Sequence, residues 1–169
     1  FVETLPADMD ERRRGIETAS CLLDLSGEKG PLVVVGFLPP YYPSRLNLGR
    51  TGGEKAVLRA VDRLRKDVEE LGVPFRVLEV LQGITDLSFC GFQGEPADLD
   101  ALGANMPLWE KGYFFPLDDL KKIDIPVANL GPIGKDAHKN SERLHLSFFL
   151  ETFPSLFRKF VDYLAQEAD

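Results

Sequence analysis

Cysteine is nearly missing: Cys21 and Cys90 are the only two in 169 residues. They stand far apart, in no redox or metal spacing. That excludes a disulfide scaffold and makes a reducing, cytoplasmic setting the expectation. Histidine is as scarce, with His138 and His145 alone. Positive charge is short too: 20 Lys and Arg stand against 27 Asp and Glu, a formal net charge of −7. Phosphate neutralisation needs clustered Lys and Arg, so no nucleic-acid partner is expected. The run Arg12, Arg13, Arg14 is short, interleaved with acids, and reads as a solvated helix face. No apolar run approaches the roughly 20 residues of a membrane helix. No signal peptide is visible either, so no membrane partner is expected.

Other absences concern chemistry. "GPIGKD" lacks the Gly-Lys-Ser/Thr ending of a phosphate loop. There is no Gly-x-Ser-x-Gly elbow, no His-Glu-x-x-His and no paired-cysteine pattern. Repeats and low-complexity segments are missing as well. So is an initial methionine: the chain begins at Phe1 and its first Met is Met9. That reads as a piece starting inside a longer protein.

What is present is ordinary globular composition, 44% hydrophobic and 28% charged. This suits one domain or parts of two. Residues 10–25 read as a helix with Ile16, Ala19, Leu22 and Leu23 on one side. "PLVVVGF" is a β-branched apolar run, as in a strand buried on both faces. "LPPYYP" then predicts an irregular exit, since proline restricts itself and its predecessor. In "TGGEKAVLRAVDRLRKDVEELG", Val57, Val61, Leu64, Val68 and Leu71 recur at helical spacing, and Gly72 is a natural stop. "PFRVLEV" and "IPVANL" read as further strands, and "LDDLKKI" as a short helix with its acids early. Residues 91–115 have little periodicity and read as a long loop with a short helix. The tail reads as an amphipathic helix including Phe149, Phe153, Phe157, Phe160 and Leu164, with Pro154 kinking it or marking its start. Alternating helices and apolar strands predict an α/β fold with a mostly parallel sheet. Ligands gather at the carboxyl ends of strands in such sheets, and "GITDLSF" and "GPIGKDAH" both sit there.

Those two stretches hold the candidate residues. His138 is placed as a metal ligand or a general base, against the alternative of an ordinary loop histidine. Asp86 is either a substrate-side carboxylate or a turn residue bonding nearby amides. Glu142, four after His138, either supports the histidine or is simply exposed. His145, between Leu144 and Leu146, reads as structural or solvated. A catalytic zinc takes about three protein ligands plus water; with one good histidine, this chain offers no complete site and no catalytic residue of its own.

Together, "LPPYYP", "GITDLSF", "NMPLWEKGY" and "NLGPIGKDAHKNSERL" resemble the C-terminal half of the zinc-dependent aminoacylase, desuccinylase and glutamate carboxypeptidase family. The likeness is strongest to its arginine-utilisation branch and covers nearly all of the chain after about Gly30. The resemblance implies a three-layer α/β/α catalytic domain interrupted by a smaller α+β lid. Residues 1–40 would end the lid or dimerisation domain, and residues 41–169 would be the second half of the catalytic domain. It implies His138 as a zinc ligand, Asp86 on the substrate side, Gly131 and Gly134 in the turn presenting the histidine, and Glu142 as its support. One or two zinc ions would activate water to cleave a peptide or N-acyl amino acid. The family's other ligands and its general base belong to an N-terminal half not found here, so this chain alone is expected to be inactive, with that half as its partner. A homodimer stays open. The rivals are a metal-free α/β binding or regulatory module that keeps the fold, and an unrelated flavodoxin-like domain.

Overall fold

Thr51-Gly52-Gly53-Glu54 opens the longest helix, and its local chemistry explains why. The Thr51 hydroxyl accepts the Glu54 amide at 3.1 Å, which satisfies one of the donors a helix start leaves free. In the computed structural model, which describes residues 1–81 and 83–168, this helix, α2, runs Gly52–Glu70. It ends as expected, with Gly72 at φ 66° donating back to Glu69. The other helices are α1 (Glu11–Ser26), α3 (Pro96–Ala104), α4 (Leu117–Ile123) and α5 (Phe153–Ala168). A two-residue antiparallel ladder joins β1 (Gly134–Lys135) to β2 (Arg143–Leu144), pairing Gly134 with Leu144 and Lys135 with Arg143.

The chain forms two compact units. One joins residues 1–44 with 84–124, the other residues 45–83 with 125–169. In the second, α2 packs on α5. Ala60, Leu64, Val68, Leu156 and Phe160 are buried together, and Phe75, Leu130 and Phe148 lean on them. The expected apolar stripe of α2 therefore holds, except that Leu71 is exposed and Ala60 takes part instead. Polar contacts lie beside this core. The Asp67 carboxylate accepts Lys159 Nζ at 2.8 Å and Tyr163 Oη at 2.5 Å. Arg63 lies over the Tyr163 ring at 4.0 Å, and Arg59 and Arg63 pair with Glu167. The helical run begins at Leu146, widens into a π-helical turn, Phe148–Thr152, and continues as α5; Pro154 therefore lies inside the run, just after the π turn, and does not mark its start.

In the first unit the core comes from the segment with least periodicity. Leu99, Leu102, Met106, Leu108 and Tyr113 are buried, with Tyr41, Phe92, Trp109 and Phe115 around them. The Trp109 and Phe115 rings stack at 6.1 Å, and the Tyr113 hydroxyl accepts the Tyr41 amide at 2.9 Å. Residues 91–115 are thus a short helix between irregular turns, as expected, but they supply the core of this unit. They are held by aromatic contacts and by α3, whose capping box pairs Glu95 with Asp98. Helix α1 forms where expected, capped by Asp10 accepting from Arg13, yet Ile16 and Leu22 are exposed. Gly15 and Thr18 are its buried residues; a Cβ on Gly15 would sit 2.8 Å from Leu38 Cδ2.

The strand expectations part from the structure. "PLVVVGF", "PFRVLEV" and "IPVANL" form no ladder; among the described residues the only one is β1–β2. A strand needs a neighbour to take its amides, and none of these runs pairs with another here. Residues 125–127 are bonded by side chains instead. Asn47 Nδ2 donates to Val127 O at 2.5 Å, Val127 N donates to Asn47 Oδ1 at 3.2 Å, and Arg45 Nε donates to Ile125 O at 3.0 Å.

Leu64→Ala is expected to lower stability by about 2–5 kcal/mol in urea unfolding. Leu71→Ala should stay within about 0.5 kcal/mol, as for other exposed sites. Hydrogen bonds from Lys159 and Tyr163 hold the Asp67 carboxyl below its usual range. Its folded pKa is therefore lower than its unfolded one, so its contribution is full above the ordinary carboxylate range and fades as pH falls through the folded value. Acid unfolding followed by circular dichroism should accordingly be shallower for Asp67→Asn.

Candidate functional site

The site is built on the hairpin. The ladder of β1 and β2 leaves residues 136–142 as its loop, and the His145 amide donates to Ile133 O at 3.0 Å to extend the pairing. Two backbone bonds fold the loop: Lys139 N to Asp136 O and Glu142 N to Lys139 O, both 3.0 Å. Asp136 and His138 take left-handed conformations, φ 58° and 64°. Such conformations cost side-chain-bearing residues energy and persist only where surroundings enforce them. Here two carboxylates do so. Glu142 Oε2 accepts the His138 amide at 3.1 Å, and Asp136 Oδ2 accepts Arg143 Nη2 at 3.0 Å.

His138 is exposed and does not line the nearby open hollow of about 440 Å³, whose walls include Lys135, Asp136, Ala137, Glu142 and Arg143. Glu142 therefore supports the histidine through its backbone. The expected role of the glycines is narrower. A Cβ on Gly134 would approach Arg143 O to 3.1 Å, so the ladder needs a small residue there, whereas Gly131 faces open space. Asp136 and His138 themselves, not the glycines, take the left-handed positions.

Asp86 begins a short 3₁₀ turn, Asp86–Phe89, whose cap is Thr85 accepting from Leu87 at 3.3 Å. It is exposed and lies in the first unit, while His138 lies in the second. His145 is a helix cap: its Nδ1 accepts the Phe148 amide at 3.2 Å. Among the described residues no three His, Cys, Asp or Glu side chains gather as a metal site. The donors near His138, Asp136 and Glu142, are engaged by Arg143 and by the His138 amide. The described residues by themselves thus do not assemble a zinc centre.

One buried constellation escaped the sequence reading. Arg45 Nη1 meets Glu54 Oε1 at 3.1 Å, with both side chains 2% exposed. Glu54 Oε2 also accepts the amides of Leu48 at 3.1 Å and Arg50 at 2.8 Å. Burial would push this carboxyl up, but the Arg50 and Thr51 amides and the Arg45 guanidinium more than offset it and hold it below the usual range. The Thr-x-x-Glu capping spacing was the available signal. Both acid and base are consumed internally, so this is architecture.

No protein-family model matches the chain, and no solved structure matches it. Curated relatives do. The uncharacterized protein YqjN of Bacillus subtilis (strain 168) is 29% identical over 163 residues, covering 96% of this chain and 29% of its own length. Protein RocB of the same organism is 24% identical over 159 residues, covering 94% of this chain and 28% of its own. The chain is therefore distantly RocB-like over most of its length and spans less than a third of the curated relatives it matches. No helix among the described residues is long and apolar enough to cross a membrane.

His138→Gly is expected to be more stable than His138→Ala by about 1 kcal/mol, because glycine accepts the left-handed backbone freely. Glu142→Gln should preserve the bond to the His138 amide and Glu142→Ala should lose it. Urea unfolding and the amide proton shift of residue 138 read both effects.

Proposed function

We propose that this chain is the C-terminal part of a RocB-like, zinc-dependent hydrolase of arginine utilisation. It would cleave the amide of a peptide or an N-acyl amino acid. The carrying observation is His138: an exposed imidazole, held left-handed on a hairpin loop by Glu142 and flanked by the Asp136–Arg143 pair. Similarity to RocB across 94% of the chain supports the assignment. In this reading His138 is one ligand of zinc, an ion that lowers the pKa of bound water toward neutrality. Asp86 serves on the substrate side. The remaining ligands and the general base come from polypeptide outside these residues, within a three-layer α/β/α domain. This chain alone is then inactive. The second reading is a binding or regulatory module that keeps the fold without metal.

The test uses a polypeptide of the relatives' length containing this segment, with and without His138→Ala. Zinc content and hydrolysis of N-acyl amino acids, N-acyl-arginine included, are measured. The hydrolase reading expects bound zinc and a loss of hydrolysis of about a hundredfold or more on substitution. Absence of zinc, or an unchanged rate, selects the metal-free module.

A further inference from the structure

The apolar run Leu32, Val33, Val34, Val35 is exposed on every residue: 53%, 92%, 59% and 89%. A half-buried strand would show its apolar side chains on one face and polar ones on the other, since successive side chains alternate. This run is apolar at both parities, so burying it needs cover on two faces. Its backbone is as bare as its side chains. Phe37 donates to Asn105 O at 2.8 Å, and within residues 32–37 no other bond of this kind is seen among the described residues. Close approach of Gly36, where a Cβ would sit 3.0 Å from the same carbonyl, anchors the end of the run and leaves its length unpaired. Residues 77–81 repeat the pattern in the other unit, with Val77, Leu78, Val80 and Leu81 all about half exposed. An exposed β-branched run of this kind is an invitation to pairing.

We infer that residues 32–37 are an interior β-strand, completed by strands and covering layers from further polypeptide of the same protein. The occupant follows from length. The matching relatives carry more than twice as much polypeptide again as this chain covers, enough to supply strands on both sides and a layer on each face. A second copy of this chain is the weaker occupant. It would bring the same bare run, and an edge-to-edge pair would still leave both faces in water. Like the hydrolase reading, this needs polypeptide beyond these residues, yet it asks nothing of the chemistry.

Hydrogen–deuterium exchange read by mass spectrometry tests it, on this chain and on a polypeptide of the relatives' length. Amides 32–36, which lack the bond that Phe37 makes to Asn105, should exchange fast in the short chain and about a hundredfold or more slower in the long one. Val33→Asp with Val35→Asp should abolish that protection and leave the short chain unchanged, since both side chains already face water there. Fast exchange in both overturns the strand. Protection in the short chain that grows with its concentration overturns the occupant in favour of a second copy. Maleimide labelling of Val33→Cys in unpurified lysate gives an independent reading: blocked in the long polypeptide, or open and the inference fails. Assaying hydrolysis on the same samples separates the two proposals, because protection without hydrolysis keeps the strand and removes the enzyme.

Discussion

A buried carboxylate organises the second unit. Glu54 sits at the first turn of α2, gathers the amides of Leu48 and Arg50, and pairs with Arg45 out of water. Arg45 in turn donates to Ile125 O, and Asn47 two residues on grips Val127 from both sides. Residues 45–50 thereby tie the start of α2 to the stretch that runs into the hairpin. A buried pair of this kind contributes little net stability, because desolvation consumes most of its Coulombic gain. Removing one partner is costly, since the other is left charged and unpaired. Its value is in fixing one arrangement of three segments.

The hairpin carries the chemistry under a different constraint. Its ladder is only two residues per strand, too short to impose much by itself. Side-chain carboxylates finish the loop, and each is spent on a neighbour within seven positions. The result exposes an imidazole on a strained backbone, a combination met more often at functional sites than in ordinary turns. Strain at His138, held in place by the Glu142 carboxylate, is the physical ground for looking there.

The helices were legible because their information is local. Thr51, Asp10 and the acids of α4 cap or charge their own first turns, and the 3.6-residue period of α2 states which side is buried. The tail helix was legible for the same reason, though of the two roles offered for Pro154 it does not mark the start, since the helical run begins at Leu146. The first unit's core was not legible. Leu99, Leu102, Met106, Leu108 and Tyr113 follow no single period, because turns and aromatic contacts between distant residues gather them. His145 read as structural or solvated; it is exposed and also caps the helix, a role that needed the position of the Phe148 amide.

Sequence by itself determined five helices' worth of local pattern, the acidic balance, the poverty of cysteine and histidine, and the one histidine-bearing loop worth examining. It also marked residues 32–37 as strand-like, since a β-branched apolar run suits a pleated, doubly covered surface. Only the tertiary structure decided that Glu142 holds the histidine through its backbone, that Asp136 and His138 bear the left-handed turn, and that Glu54 is enclosed with Arg45. It decided too that the strand-like runs stay unpaired within these residues. The division has one cause: caps and periods are written within a few residues. A ladder or a buried ion pair depends on groups brought together from elsewhere.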